Sequence, residues 1–331
     1  TGNSLVGSDI EEIEELESES GGDGQNATLA DFGIARRGTI EQLMRIYQDF
    51  ISIENQDLAD VKEMEAKYDE FERNKLRQRL EAMANVHTAE EFGLDSLPRD
   101  AYERMAAALE DDEKWESIEE TRWFIHAQNW AEVDRYFHWK LEYAEVYDDE
   151  DGNQNEEPGF DAVIGNPPWV ATAGRADISA NIETDLRTYL EAAFDATQNQ
   201  FDLYVAFYEQ SIRQSRQGHV GIIVPDAVLT REQNEPIREY VLSNTPLSEI
   251  VQVGTAFEGV ETGAVILVSS GRTEDVQCAD ATDRTDLAEI SYNSIPAQVF
   301  EEQEAERFLI YRDERTRSIL SKMEDHPPLK K

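Results

Sequence analysis

Asn166-Pro167-Pro168-Trp169 holds the densest chemistry in the 331-residue sequence. Neither proline has a backbone N–H, so the bend offers carbonyl acceptors without competing donors. The Asn166 side chain adds another acceptor on the same side. Such a group of acceptors suits a ligand with two N–H donors on one nitrogen, an exocyclic amine. The lone pair of that amine is normally conjugated into its ring. Hydrogen bonds from both N–H groups to Asn166 Oδ1 and the Pro167 carbonyl favour a pyramidal nitrogen whose lone pair can attack. Trp169 supplies a flat face on which a planar base stacks. This chemistry needs neither a metal nor a titratable base, and no His lies within 25 residues of the bend in the sequence.

The competing reading is a tight turn with a buried indole. Two adjacent prolines arise by chance about once in 400 positions, and Pro327-Pro328 is a second pair with no strand before it. Position separates the two. The first pair follows FDAVIG (160–165), a short apolar run rich in β formers. Ligand sites of open α/β sheets lie just past the carboxyl ends of strands.

Further strand-like runs are HVGIIVP (219–225), IVQV (250–253) and TGAVILVS (262–269). Helical patterns at 182–196, 203–214 and 232–242 alternate with them, which predicts an α/β layer on a mainly parallel sheet over 159–270. Upstream, apolar residues recur at helical spacing over 39–85, Pro98 marks another helix start, and a third helical stretch covers 112–143. The last carries Trp115, Trp123, Phe124, Trp130, Phe137 and Trp139, an aromatic row that reads as core between helices. Residues 8–31 hold nine acids, no base and Gly21, Gly22 and Gly24. No apolar strand precedes these glycines, so they read as a linker and not as a phosphate cradle. Beyond Gly271 the pattern weakens to polar loops and one helix near 302–323. The expected organisation is 1–8 as the end of a preceding half, 9–38 an acidic linker, 39–147 a helical insertion, 148–271 the catalytic α/β region, and 272–331 a linker into a further region.

The chain carries 30 basic and 71 acidic residues, a net charge of −41, and only eight of the basic residues are Lys. Such a surface repels polyanions in dilute buffer. An acidic, Lys-poor surface is also the mark of adaptation to concentrated salt, where the Debye length shrinks to about 3 Å at 1 M. Close contacts to a base or phosphate then survive, so charge does not exclude a nucleic-acid substrate. Arg213, Arg216, Arg231 and Arg238 are candidates for phosphate contacts, with surface ion pairs as the alternative. The single cysteine, Cys278, excludes a disulfide framework and a cysteine-based zinc site. No membrane span or signal segment is present, and the expected location is the cytoplasm.

The segment FDAVIGNPPWVATAG resembles motif IV of the amino-group DNA methyltransferases of the adenine-N6 type. FHWKLEYAEVY (137–147) before it, and FDLYVAFYEQSIRQSRQGHVGIIVPDAVL (201–229) and VGTAFEGVETGAVILV (253–268) after it, are similar to the large type IIG-like methylases of restriction–modification and phage-defence systems. The resemblance implies a Rossmann-like class I methyltransferase sheet with a large helical insertion, and S-adenosyl-L-methionine as methyl donor. It implies DNA as partner and an adenine flipped out of the duplex as acceptor. Asn166, Pro167, Pro168 and Trp169 become catalytic residues, Trp169 and Phe257 the two walls around the base, and no metal is needed. TGNSLVG at the N-terminus is similar to the segment just after the family's cofactor-binding strands. The family's cofactor loop is therefore expected upstream of residue 1 and its target-recognition region beyond 331. The chain then reads as a fragment or one half of a split methylase, binding cofactor poorly alone.

Two other readings stay open. Protein-glutamine amide methyltransferases use a similar Asn-Pro-Pro-aromatic motif, but with little between cofactor loop and motif. Here more than 150 residues separate TGNSLVG from Asn166. Cytosine-N4 enzymes usually carry Ser in place of Asn166. The other reading is a non-enzymatic piece that acts only with a partner chain. Glu65-Ala66-Lys67 matches the letters of a nuclease motif but falls within a helical pattern, where a solvated face is expected.

Overall fold

The computed structural model describes residues 2–9, 13, 37–46, 48, 53, 57–149, 151–170, 184–198, 200–256, 262–271, 274–282 and 290–310. The chain forms two compact units, Thr1–Pro158 and Gly159–Lys331.

The first unit is helical. Helix α1 covers residues 37–46. Helix α2, Leu58–Glu72, starts at a capping box in which the Asp57 carboxylate accepts from Ala59 N and Asp60 N at 2.7 and 3.0 Å. Glu65-Ala66-Lys67 lies inside it, and Lys67 pairs with Glu70 at 3.1 Å, as a solvated helix face does. Helix α3, Lys75–Glu91, is capped by Asn74 and buries Leu80, Met83, Ala84 and Val86. Against these pack Trp115, Trp123 and Phe124, whose rings meet edge to face at 5.9 Å.

After α4, Ala101–Ala108, the helical stretch expected over 112–143 is broken into three helices, α5 Asp112–Glu119, α6 Arg122–Asp134 and α7 Trp139–Glu142, and α8 Ala144–Tyr147 follows it. Arg135 ends α6 in the left-handed conformation, φ +58°. Residues 135–138 instead line the N-terminal segment: Asn3 N donates to Arg135 O at 2.6 Å and Phe137 N to Val6 O at 2.7 Å. Gly7 permits this approach, because a Cβ there would lie 2.1 Å from the Phe137 carbonyl oxygen.

His138 is buried behind that segment. Its Nδ1 accepts from Ser8 N at 3.1 Å and its Nε2 faces Asn85 Oδ1 at 2.8 Å, which a neutral ring protonated on Nε2 satisfies. Burial holds its pKa down to about 4 and also lowers that of His87, whose Nδ1 meets the Ser8 hydroxyl at 2.8 Å. In the unfolded chain both rings take up a proton near pH 6.5. Their contribution to stability is therefore present above about pH 6.5 and is lost as pH falls toward 4. Thermal melts followed by circular dichroism should show His138→Gln flattening the pH dependence between about 6.5 and 5 relative to the parent. An unchanged slope contradicts this.

The second unit is a six-stranded sheet flanked by helices, an α/β fold as the alternation predicts. The strands are β1 Val163–Gly165, β2 Val220–Pro225, β3 Leu247–Gly254, β4 Ala264–Ser269, β5 Asp275–Asp280 and β6 Asn293–Pro296, in the order β1-β2-β4-β3-β5-β6. Helices α9 Thr184–Ala193, α10 Leu203–Arg213 and α11 Glu235–Asn244 stand where the helical spacing places them. Buried Val220, Ile222, Val224, Ile250, Val265 and Leu267 form the centre of the sheet.

Three features differ from the sequence reading. The sheet is mixed, since β4 pairs antiparallel with both β2 and β3 and β6 antiparallel with β5. The nine residues between β3 and β4 are too few for the helical crossover that parallel neighbours need. The region expected as polar loop beyond Gly271 contains β5 and β6, and β5 buries Val276 and Cys278 between outward polar residues. The described part of 302–323 is not α-helical: α12 covers Gln298–Glu301 and a 3-10 turn covers Glu304–Glu306. Buried Arg238 donates to the Ala305 carbonyl from Nε and Nη2, and Ala305 has φ +57°, so that carbonyl is held out of a helical ladder.

Candidate active site

Strands β1, β2, β3 and β5 share one direction. The register therefore brings the ends of β1 at Gly165, β2 at Pro225 and β3 at Gly254 to one edge of the sheet, with the start of β4 at Ala264. Asn166 is the first residue past that edge. Gly165 pairs with Ile222 of β2. Four residues after Asn166, the Val170 carbonyl accepts from Leu203 N at 2.8 Å, at the start of α10. The bend 166–169 is thus tied at both ends, once by sheet register and once by a helix N-terminal donor that α10 leaves unused.

Within the bend, Asn166 and Pro168 are exposed, Pro167 is buried and Trp169 is half-buried. The asparagine amide is therefore open to a ligand, while Pro167 anchors the bend in the unit. The indole is neither sunk in the core nor bare. Phe257, expected as the second wall around a base, lies outside the described residues, as do residues 171–183 after the bend.

Sequence reasoning missed a second group on this edge. Asp226 follows β2, and its carboxylate accepts from Gln252 Nε2 at 3.2 Å near the end of β3. Its backbone N–H donates to Gly263 O at 2.9 Å, and a Cβ at Gly263 would lie 2.3 Å from Asp226 Oδ2. Asp226 and Gln252, with Leu229, Arg231 and Phe308, line a cleft of about 280 Å³. The one signal in the sequence is a lone Asp ending an apolar strand, and only the fold brings Gln252 and Gly263 to it.

The four arginines separate. Arg213 pairs with Glu209, and Arg216 with Asp161. Arg238 is buried and donates to the carbonyls of Val228 and Arg231 at 2.8 and 2.9 Å. Arg231 is exposed at the cleft rim and has no ion pair with a carboxylate within 4 Å among the described residues. It instead faces Asp202 at longer range: burial raises the Asp202 pKa, and the Arg231 charge opposes that rise. Cys278 is buried in β5, and burial pushes its thiol up to about 12, so it stays protonated and inert. Among the described residues no three His, Cys, Asp or Glu side chains group to hold a metal ion, and no helix is long and apolar enough to cross a membrane.

The model of the Eco57I restriction-modification methylase family matches residues 46–257, well over half of the chain. The type II restriction enzyme and methyltransferase RM.Eco57I of Escherichia coli is 28% identical over 97 residues, 29% of this chain and 9% of that protein. The type II methyltransferase M.TthHB8I of Thermus thermophilus is 26% identical over 114 residues, 34% of this chain and 26% of that protein. The chain thus aligns with about a quarter or less of the length of these relatives. Among solved structures, the type IIG restriction endonuclease BpuSI has a TM-score of 0.35 at 13% identity, covering 45% of this chain and 20% of that one. The family match, by contrast, spans most of the helical unit and the whole Asn166–Trp169 bend. The chain belongs to the Eco57I restriction-modification methylase family.

Proposed function

We propose that this chain carries the acceptor side of a DNA methyltransferase that moves a methyl group from S-adenosyl-L-methionine to the N6 amine of a flipped adenine, within a restriction–modification or phage-defence system. The observation that carries the reading is the Asn166 side chain, exposed just past the end of β1, on a bend whose next residue is anchored and whose fourth is a half-buried indole. A base inside a stacked duplex cannot reach that bend, so the acceptor must swing out. Unstacking costs a few kcal/mol, and a stacked aromatic offsets about 1–3 kcal/mol per base. Asn166 Oδ1 and the Pro167 carbonyl then hold the two amine protons, Trp169 holds the ring, and Phe257 is assigned the opposite wall.

The described residues do not by themselves fit the methyl donor. Among them no strand ends in a glycine turn that opens a helix, the arrangement that cradles such a ligand. No residue is therefore assigned to the donor, and the part these residues play in the chemistry is to orient the amine.

The sheet edge supports a partner for this unit. Strand β1 has a neighbour on one side only among the described residues, and Ile164 at its centre is 88% exposed. A lone apolar side chain on an open edge strand suits pairing with further strands, from the same methylase or a companion chain. The low Lys content supports a salt-adapted protein. Basic side chains of the first unit add no phosphate-binding face around Asp112, since Lys75 and Arg79 both pair with it.

The direct test supplies labelled donor to the full-length gene product that contains these residues, with duplex DNA and a glutamine-bearing protein as rival acceptors. Label entering DNA alone is expected. Label entering the protein instead favours the glutamine-amide reading, and no transfer favours a piece that works only with a partner.

A further inference from the structure

Beside the Asn166 bend, the cleft at the ends of β2 and β3 has its own chemistry. Asp226 offers a carboxylate held in place by Gln252 and by the missing side chain of Gly263. Leu229 and Phe308, both buried, form an apolar wall and are tied together by Phe308 N donating to Leu229 O at 2.8 Å. Arg231 stands exposed at the rim. In a chain of net charge −41, an arginine that forms no close ion pair among the described residues, beside an anchored carboxylate, does not suit a simple anion site. It suits a ligand with a negative end and a donor-bearing end, joined by a flat apolar body.

We propose that this cleft takes a second nucleotide, the unstacked neighbour of the target base, with guanine as its base. The inference rests on the proposed function, since it supposes DNA opened at this edge. The volume of about 280 Å³ admits one base and little more. Guanine presents N1–H and N2–H side by side on its pairing edge, and a carboxylate accepts both. Adenine and cytosine offer one amine beside a ring acceptor, which faces the carboxylate unfavourably. Leu229 and Phe308 pack along the ring, and Arg231 takes the 5′ phosphate, a bidentate partner for a guanidinium. The cleft therefore sets a preference for guanine next to the methylated base from within the catalytic unit.

Saturation-transfer NMR on the 331-residue chain tests this with dGMP, dAMP, dCMP, dTMP and deoxyguanosine as probes. The four monophosphates should rank with dGMP tightest, and deoxyguanosine should bind more weakly than dGMP. Asp226→Asn should weaken dGMP about tenfold or more, the range of one bidentate base contact. Arg231→Gln should weaken dGMP while leaving deoxyguanosine unchanged, and Asn166→Ala should leave dGMP binding intact. Equal binding of the four monophosphates, or dGMP no tighter than deoxyguanosine, overturns the proposal. Both readouts use the parent chain, so they stand even where Asp226→Asn loosens the β2–β4 junction. Guanine-selective binding by a gene product that methylates no DNA would leave the cleft and remove the proposed function. DNA methylation without guanine selectivity would do the reverse.

Discussion

Asn166→Ala is expected to cut methyl transfer to DNA about a hundredfold or more while leaving DNA affinity within about twofold. The size follows from removing one preorganised polar group that acts where charge develops, worth about 10²–10³ in turnover. The side chain is exposed past the sheet edge, and among the described residues no hydrogen bond of it supports the local fold, so its loss does not unfold the bend. The ties that hold the bend are backbone ones, at Gly165–Ile222 and at Val170–Leu203. A fall in turnover with unchanged binding is the signature of an interaction made in the transition state. Asn166→Ser keeps an acceptor and should retain more activity than Ala. Single-turnover kinetics and a binding titration on the full-length gene product check both. Equal losses in binding and turnover would place Asn166 in DNA docking and not in chemistry.

Arg77→Met is expected to destabilise the helical unit by about 3 kcal/mol, the lower end of the range for breaking a buried ion pair. Arg77 is 2% exposed on α3 and meets Glu142 at 2.8 Å, Glu81 at 3.2 Å and Glu72 at 3.4 Å. Its guanidinium also lies 5.0 Å from the centre of the Phe71 ring. Methionine matches the volume of the stem but leaves three carboxylates facing one another. Burial already raises the Glu81 pKa, and Arg77 is the charge that opposes this rise. The three glutamates keep partial contact with solvent, which limits the penalty. Lysine supplies one point charge without the planar fork and should recover only part of the loss. Urea unfolding followed by tryptophan fluorescence reports mainly on this unit, because Trp115, Trp123, Trp130 and Trp139, four of the five tryptophans, lie in it. A midpoint unchanged in Arg77→Met would show that the cluster contributes nothing to the fold.

The legible parts of this chain are those in which one local pattern decides the structure. HVGIIVP and TGAVILVS are continuous apolar runs, and each is a central strand with buried residues along its length. The Trp-rich stretch is legible as core at Trp115, Trp123 and Phe124, which are buried, but not at Trp130, which is exposed, nor fully at Phe137 and Trp139, which are half-buried. The breaks inside it are not legible, since Arg135 turns left-handed and its carbonyl meets Asn3 while Phe137 N meets Val6, residues more than 120 positions away. Strand β5 hides for a different reason: DVQCAD is short, holds Gln277 between Val276 and Cys278 and an acid at each end, and reads as loop until β3 and β6 flank it. The Asn166 bend can be found because its acceptors are contiguous in sequence. Asp226, Gln252 and Gly263 cannot, because three strand ends meet only after the sheet is built. Phe257 lies outside the described residues, so its role as second wall stays with the proposal.

The identity of the acceptor atom is the sharpest test of the Asn166 bend. DNA treated with the full-length gene product and isotopically labelled methyl donor is digested to nucleosides and analysed by mass spectrometry. The arrangement of Asn166, Pro167 and Trp169 predicts label in N6-methyldeoxyadenosine, and its disappearance in Asn166→Ala. Label in N4-methyldeoxycytidine, in 5-methyldeoxycytidine, or persisting at full level in Asn166→Ala would contradict it.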